Sequence, residues 1–180
     1  MSPPNKPASE EELRKHRCCI SSGVSGSVHR GEDDIKVDLE NEILTAVKNG
    51  YTTFITGMSR GPEIWAGNIV VRLKSRFPEL KLIAALPYPA YEREWDKPWL
   101  KKYEALLQQA DYIRTVSPAE APCALQERNR WMVDHSSFLI AVGDGRVTNP
   151  TIRYATFFYN IAHPPALHRL CQKGTAAFHP

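Results

Sequence analysis

At 180 residues the chain is long enough for one compact domain with a substantial core. Its 42% hydrophobic and 24% charged residues exclude a disordered chain, and no apolar run is long enough to span a bilayer, so no membrane partner is expected. The formal net charge of +3 permits an anionic ligand but lacks the concentrated basic character of a dedicated nucleic-acid binder. Nucleic acid is therefore not expected as a partner.

Residues 1–16 are polar and Pro-rich, which predicts a flexible leader ahead of a domain over 17–162. Cys18, Cys19, Cys123 and Cys171 show no C-x-x-C spacing and read as reduced thiols of a cytoplasmic protein. The first apolar run, 18–22, predicts a short strand, followed by a Gly/Ser-rich loop over 23–31 that holds His29 and Arg30. Asp33 or Asp34 then opens a helix whose Ile35, Leu39, Ile43 and Val47 repeat every four residues and share a face. Gly50 stands where a helix end favours a left-handed residue.

Residues 51–56 are rich in β-branched and aromatic types and predict a second strand, which runs into Gly57-Met58-Ser59-Arg60-Gly61. Pro62 suits the first position of the next helix because its missing N–H has no intrahelical partner there. Trp65, Ile69, Leu73 and Phe77 form its stripe. A strand over 80–86, a helix over 98–110 and a strand over 112–116 follow, then a helix over 123–134 and an apolar strand over 137–142. A loop over 143–150 and a helix over 151–162 end the assignable pattern, leaving 163–180 as a tail with too many breakers to assign.

Strands alternating with helices predict a Rossmann-like three-layer α/β/α fold around a mainly parallel sheet of five or more strands. Ligands in such sheets bind beyond the carboxyl ends of the strands, where the strand order reverses. The loops at 23–31, 57–61, 87–97 and 143–150 are the candidates.

In the turn at 57–61, glycines allow backbone N–H groups to approach a ligand, and the following helix N-terminus favours a phosphate. The plain alternative is a tight turn with a solvated Arg60 and with Glu63 compensating the helix dipole. Arg128 and Arg130 lie two apart on one helix and point about 200° away from each other, so at most one faces the site. Tyr88, Tyr91 and Trp95 could stack on a base or pack on their own scaffold. The chain contains no nucleophile elbow, no catalytic triad and no histidine cluster at metal spacing, so neither a metal nor a cofactor is expected.

Taken in order, these segments resemble the YpsA-like family of the SLOG superfamily. The resemblance rests on Gly57-Met58-Ser59-Arg60-Gly61-Pro62-Glu63-Ile64-Trp65-Ala66, on Pro87-Tyr88 with Trp95, and on Tyr103 with Ala110-Asp111. It continues through Arg128-Asn129-Arg130-Trp131-Met132-Val133-Asp134, residues 139–142 and Tyr154-Ala155. The resemblance implies a fold related to LOG and DprA proteins and a nucleotide-derived ligand. It carries over Gly57, Gly61, Glu63, Trp65, Arg128 and Asn129 as site positions; Arg60, His29 and Arg30 join them from the loops. Two stretches depart from the family pattern. His29-Arg30 arrive late in a longer first loop, and 145–151 lacks the paired glycines of a G-G-T loop.

Three functions follow as expectations. The first is binding of a nucleotide or nucleotide-derived small molecule as a sensor or regulatory domain. The second is N-glycosidic hydrolysis of nucleoside monophosphates, with Glu63 stabilising positive charge on the ribose. The third is DprA-like single-stranded DNA binding, against which the net charge is weighed. Homo-oligomerisation is left open.

Overall fold

A computed structural model describes residues 9–22, 31–142, 166–171 and 174–178. The elements are α1 (Glu10–Lys15), β1 (Arg17–Ser22), α2 (Glu32–Lys48), β2 (Thr53–Thr56), α3 (Pro62–Leu73) and β3 (Lys81–Leu86). They continue with α4 (Lys97–Leu107), β4 (Tyr112–Thr115), α5 (Ala124–Asp134), β5 (Phe138–Val142), β6 (Ala166–Cys171) and β7 (Gly174–Phe178). The strands form one sheet in the order β4-β3-β2-β1-β5-β6-β7. β1 to β6 run parallel, and β7 closes the sheet antiparallel to β6. The Rossmann-like three-layer fold expected from the sequence is the one observed.

Side-chain alternation along the strands builds two cores, one on each face of the sheet. Ile20, Phe54, Leu82, Ala84 and Ile140 pack with Leu39 and Ile43 of α2, Ile64 and Val70 of α3, and Leu106 of α4. On the other face Cys19, Ile55, Ile83, Ala85 and Leu139 pack with Met132 and Val133 of α5. Strands buried on both faces explain the unbroken apolar runs. The helix α3 lies close to its neighbour α4 because Gly67 leaves room for Leu106: a Cβ at 67 would stand 2.6 Å from Leu106 Cδ2.

Helix α1 occupies part of the stretch that composition predicted to be a flexible leader. The signal was Ser9 with Glu12, a capping box in which the Ser9 hydroxyl accepts from the Glu12 N–H and the Glu12 carboxylate accepts from the Ser9 N–H. Arg14 Nε donates to the Ser136 carbonyl at 2.9 Å and ties this helix to the start of β5. Strands β6 and β7 lie in the tail that resisted assignment. The expected loop at 143–150 and helix at 151–162 lie outside the described residues, as does the first loop with His29 and Arg30.

Because β1 is flanked by β2 on one side and β5 on the other, the strand order reverses at its carboxyl end. Ser22, the last residue of β1, stands opposite Val142, the last of β5. The candidate site follows from that position.

Candidate functional site

The turn between β2 and α3 is tightly specified. Met58 has φ 60 and Gly61 φ 87, both in the left-handed region. Glycine adopts that region freely, whereas for Met58 it costs roughly 1–2 kcal/mol, which its burial in the main core holds in place. The Thr56 hydroxyl donates to the Glu63 carbonyl at 2.9 Å, joining the end of β2 to the first turn of α3.

Glu63 is the hub of this region and is 1% exposed. Its Oε1 accepts from the Ser22 N–H at 3.0 Å and from the Ser22 hydroxyl at 3.3 Å. Its Oε2 accepts from the Ser59 N–H at 2.9 Å and lies 3.7 Å from Arg128 Nη1. The carboxylate therefore spans from the end of β1 to the turn after β2. A buried carboxylate is tolerated only when paired and hydrogen-bonded, and here both oxygens are occupied by the protein's own groups.

Arg128 comes from α5, on the opposite layer, and is 3% exposed. Its Nη1 donates to the Gly57 carbonyl and to Ser59 Oγ at 3.1 Å. Its Nε and Nη2 donate to Asn129 Oδ1 at 3.0 and 2.7 Å. Gly57 is glycine for this reason, since a Cβ there would stand 2.6 Å from the Arg128 Cζ. Arg130, two residues on, is exposed.

The structure thus brings Gly57, Glu63, Arg128 and Asn129 together, but as a clamp whose polar atoms largely satisfy one another. Arg60 and Gly61 continue the same turn. Arg60 is exposed, and its guanidinium sits over the Trp95 ring, 5.4 Å from the centroid. Trp65 points elsewhere: it packs against the main core with Lys36 of α2 over its ring at 5.4 Å. Among the described residues its buried Nε1 has no hydrogen-bond partner.

Ser22 and Ser59 are members of the site that the sequence did not single out, and Tyr91, read there as a ring for stacking, joins it through its hydroxyl. The Tyr91 hydroxyl is 3.5 Å from Ser59 Oγ, which links the loop after β3 to the turn after β2. Tyr88, Tyr91, Trp95 and Tyr103 contact one another edge-on in series, so these aromatics brace their own loop. Glu120, in the loop after β4, pairs with Arg93 at 2.9 Å and joins the next loop to it.

Among solved structures, this fold matches a chain of DNA processing protein A from Helicobacter pylori, described for its single-stranded DNA binding mode. The TM-score is 0.54 at 15% identity, over 91% of this chain and 68% of that one. At that identity the likeness carries the fold alone. It still corrects the expectation that nucleic acid is not a partner, because a chain of this fold is described as binding single-stranded DNA. The physical reason is that net charge sums over the whole molecule, whereas a strand is held by the local placement of cations and rings.

Among the described residues, no helix is long and apolar enough to cross a membrane. The UPF0398 protein of Halalkalibacterium halodurans is 31% identical over 124 residues, which is 68% of this chain and 66% of that protein. That of Bacillus pumilus is 29% identical over 112 residues, 61% of this chain and 60% of that one. UPF0398 protein YpsA of Bacillus subtilis is 29% identical over 112 residues, 61% of this chain and 62% of that one. The chain spans less than two thirds of the length of these relatives. The YpsA family model, described as the YspA SLOG family, matches residues 23–160, and the chain belongs to that family.

Proposed function

We propose that this chain binds a nucleotide or nucleotide-derived small molecule beyond the carboxyl ends of β1, β2 and β5, as a sensor or regulatory domain. The observation that carries the reading is the Glu63–Arg128 clamp. It spends a buried ion pair on fixing the turn that opens α3, at the point where the strand order reverses. Preorganised backbone at a helix N-terminus is suited to an anionic group. Calorimetry with a panel of nucleotides tests the reading. At least one saturable binder is expected, and Gly61→Trp should abolish its binding while the fold is retained. A panel without a binder overturns it.

Hydrolysis stands lower because Glu63 is consumed. A carboxylate that stabilises an oxocarbenium-like transition state must face the ribose, yet both Glu63 oxygens already accept from Ser22 and Ser59. Incubation with AMP, GMP, CMP and UMP should release no free base above background. Release at enzymatic turnover would reverse this order.

Single-stranded DNA binding is a second reading, favoured by the fold shared with the Helicobacter pylori protein. Fluorescence anisotropy of a labelled oligo-dT, measured across a salt series, checks it. Binding that weakens steeply with salt is the expected signature of phosphate contacts.

A further inference from the structure

Arg60 differs in kind from the rest of the clamp. Arg128 has its donors engaged by Gly57, Ser59 and Asn129, and Glu63 has both oxygens occupied. Arg60 makes no hydrogen bond or ion pair among the described residues and is exposed. Its guanidinium nevertheless sits over the Trp95 ring, 5.4 Å from the centroid. A cation within about 6 Å of an indole centroid is attracted by the ring's quadrupole, which orders the side chain without using its N–H groups.

Trp95 is itself fixed. Tyr91 and Tyr103 meet it edge-on, each at 5.3 Å, and the indole packs against the main core. Tyr103 is 1% exposed, and burial, with Glu92 beside it, pushes its phenol well up, so it remains protonated and anchors the stack. A planar guanidinium lying on a rigid indole presents its donors in a fork that matches phosphate oxygens. Arg60 directly precedes Gly61, the N-cap of α3, and among the described residues no side chain caps that helix end.

We propose that Arg60, seated on Trp95, is the phosphate-recognising residue of this site, and that it selects a phosphorylated mononucleotide over the free nucleoside. This rests on the nucleotide-binding reading above and adds to it the part of the ligand that is read and the residue that reads it. The clamp shapes the turn, and Arg60 supplies the charge that the clamp cannot.

The test compares AMP, adenosine and a short oligo-dT on the full chain, using wild type, Arg60→Gln, Arg60→Lys and Trp95→Leu, with each nucleotide of the calorimetric panel replacing AMP where it binds better. Wild type should prefer the nucleotide to its nucleoside by roughly ten- to a hundredfold, the range for charge-assisted hydrogen bonds. Arg60→Gln should erase that preference, bringing nucleotide affinity down to the level of the nucleoside. Arg60→Lys should restore only part of it, because the charge returns without the fork or the stacking. Trp95→Leu should lower it by freeing the guanidinium. A phosphate preference that survives Arg60→Gln overturns the inference and leaves nucleotide binding standing. Binding of none of the nucleotides overturns both. Binding of the oligo-dT alone overturns the mononucleotide assignment. Arg60 is exposed, and melting curves identical to wild type confirm that the arginine variants are folded.

Discussion

The guanidinium of Arg128 lies where a side chain on Gly57 would have to go. A Cβ at 57 would stand 2.6 Å from both Cζ and Nη1 of Arg128 and 2.7 Å from Glu63 Oε2. Gly57 and Arg128 are 71 residues apart, one in the turn before α3 and the other on α5, yet each sets the shape of the other.

The variant Gly57→Ala should therefore lose stability although alanine is the smallest step. The obstacle is a buried guanidinium rather than the loose end of an aliphatic chain. A loss of about 1–3 kcal/mol in urea unfolding is expected, as for an overpacked core. Unchanged stability would mean that the Arg128 side chain yields freely.

The pair Glu63 and Arg128 should show strong coupling. Arg128→Met leaves a carboxylate buried without its counter-charge, a change that costs about 3–5 kcal/mol. Combining it with Glu63→Gln should cost clearly less than the sum of the two single changes. A double-mutant cycle measures the difference, and additive losses would show that the two groups act separately.

Asp111 makes stability depend on acid. Burial raises its carboxyl, but hydrogen bonds from Lys74, Lys81 and the Leu82 amide, with the charge of Lys74, outweigh that and hold it below the ordinary carboxylate range. A carboxylate lowered on folding contributes stability that is present above its unfolded value and lost as pH falls through the folded one. The stability difference between wild type and Asp111→Asn should be constant near neutrality and should shrink below about pH 4. Urea midpoints measured between pH 7 and pH 2.5 check this, and a difference that grows in acid would contradict it.

The thiols should separate by burial. Cys18 and Cys19 are fully buried, and burial pushes Cys19 up to about 12 and Cys18 well above its usual value. Cys123 is exposed, and its hydrogen bond to Glu127 raises it less severely. Iodoacetamide followed by peptide mass mapping should modify Cys123 in the native protein, with Cys18 and Cys19 reacting only in denaturant. Native-state labelling of Cys19 would show that the core beneath α5 opens readily.

Periodicity made the fold legible because burial leaves a repeat in the sequence. Ile35, Leu39 and Ile43 announced the inner face of α2, and the apolar run at 137–142 announced a central strand. The limits of elements were less legible. Phe77 continues the stripe of α3 but lies beyond Leu73, where the helix ends, and it packs on the core from the following turn. At the site, charged residues in a Gly-rich turn drew attention to Glu63 and Arg128. Their partners could not be read the same way. Ser22 and Ser59 hold Glu63 through backbone N–H groups that any residue but proline carries, and their hydroxyls, like that of Tyr91, matter only because separate loops meet here.

The position of β1 has a consequence for synthesis on the ribosome. It is made first among the strands and sits in the middle of the sheet, and its neighbour β5 emerges far later. Arg14 and Ser136, which clasp the beginnings of these two strands together, are 122 residues apart. At about 5–20 residues per second, one side of β1 would wait on the order of 6–24 s for its partner. Through that interval the growing β1–β4 unit presents Cys18, Cys19 and Ile20 along an open strand edge, which is the kind of edge that nascent-chain chaperones shield.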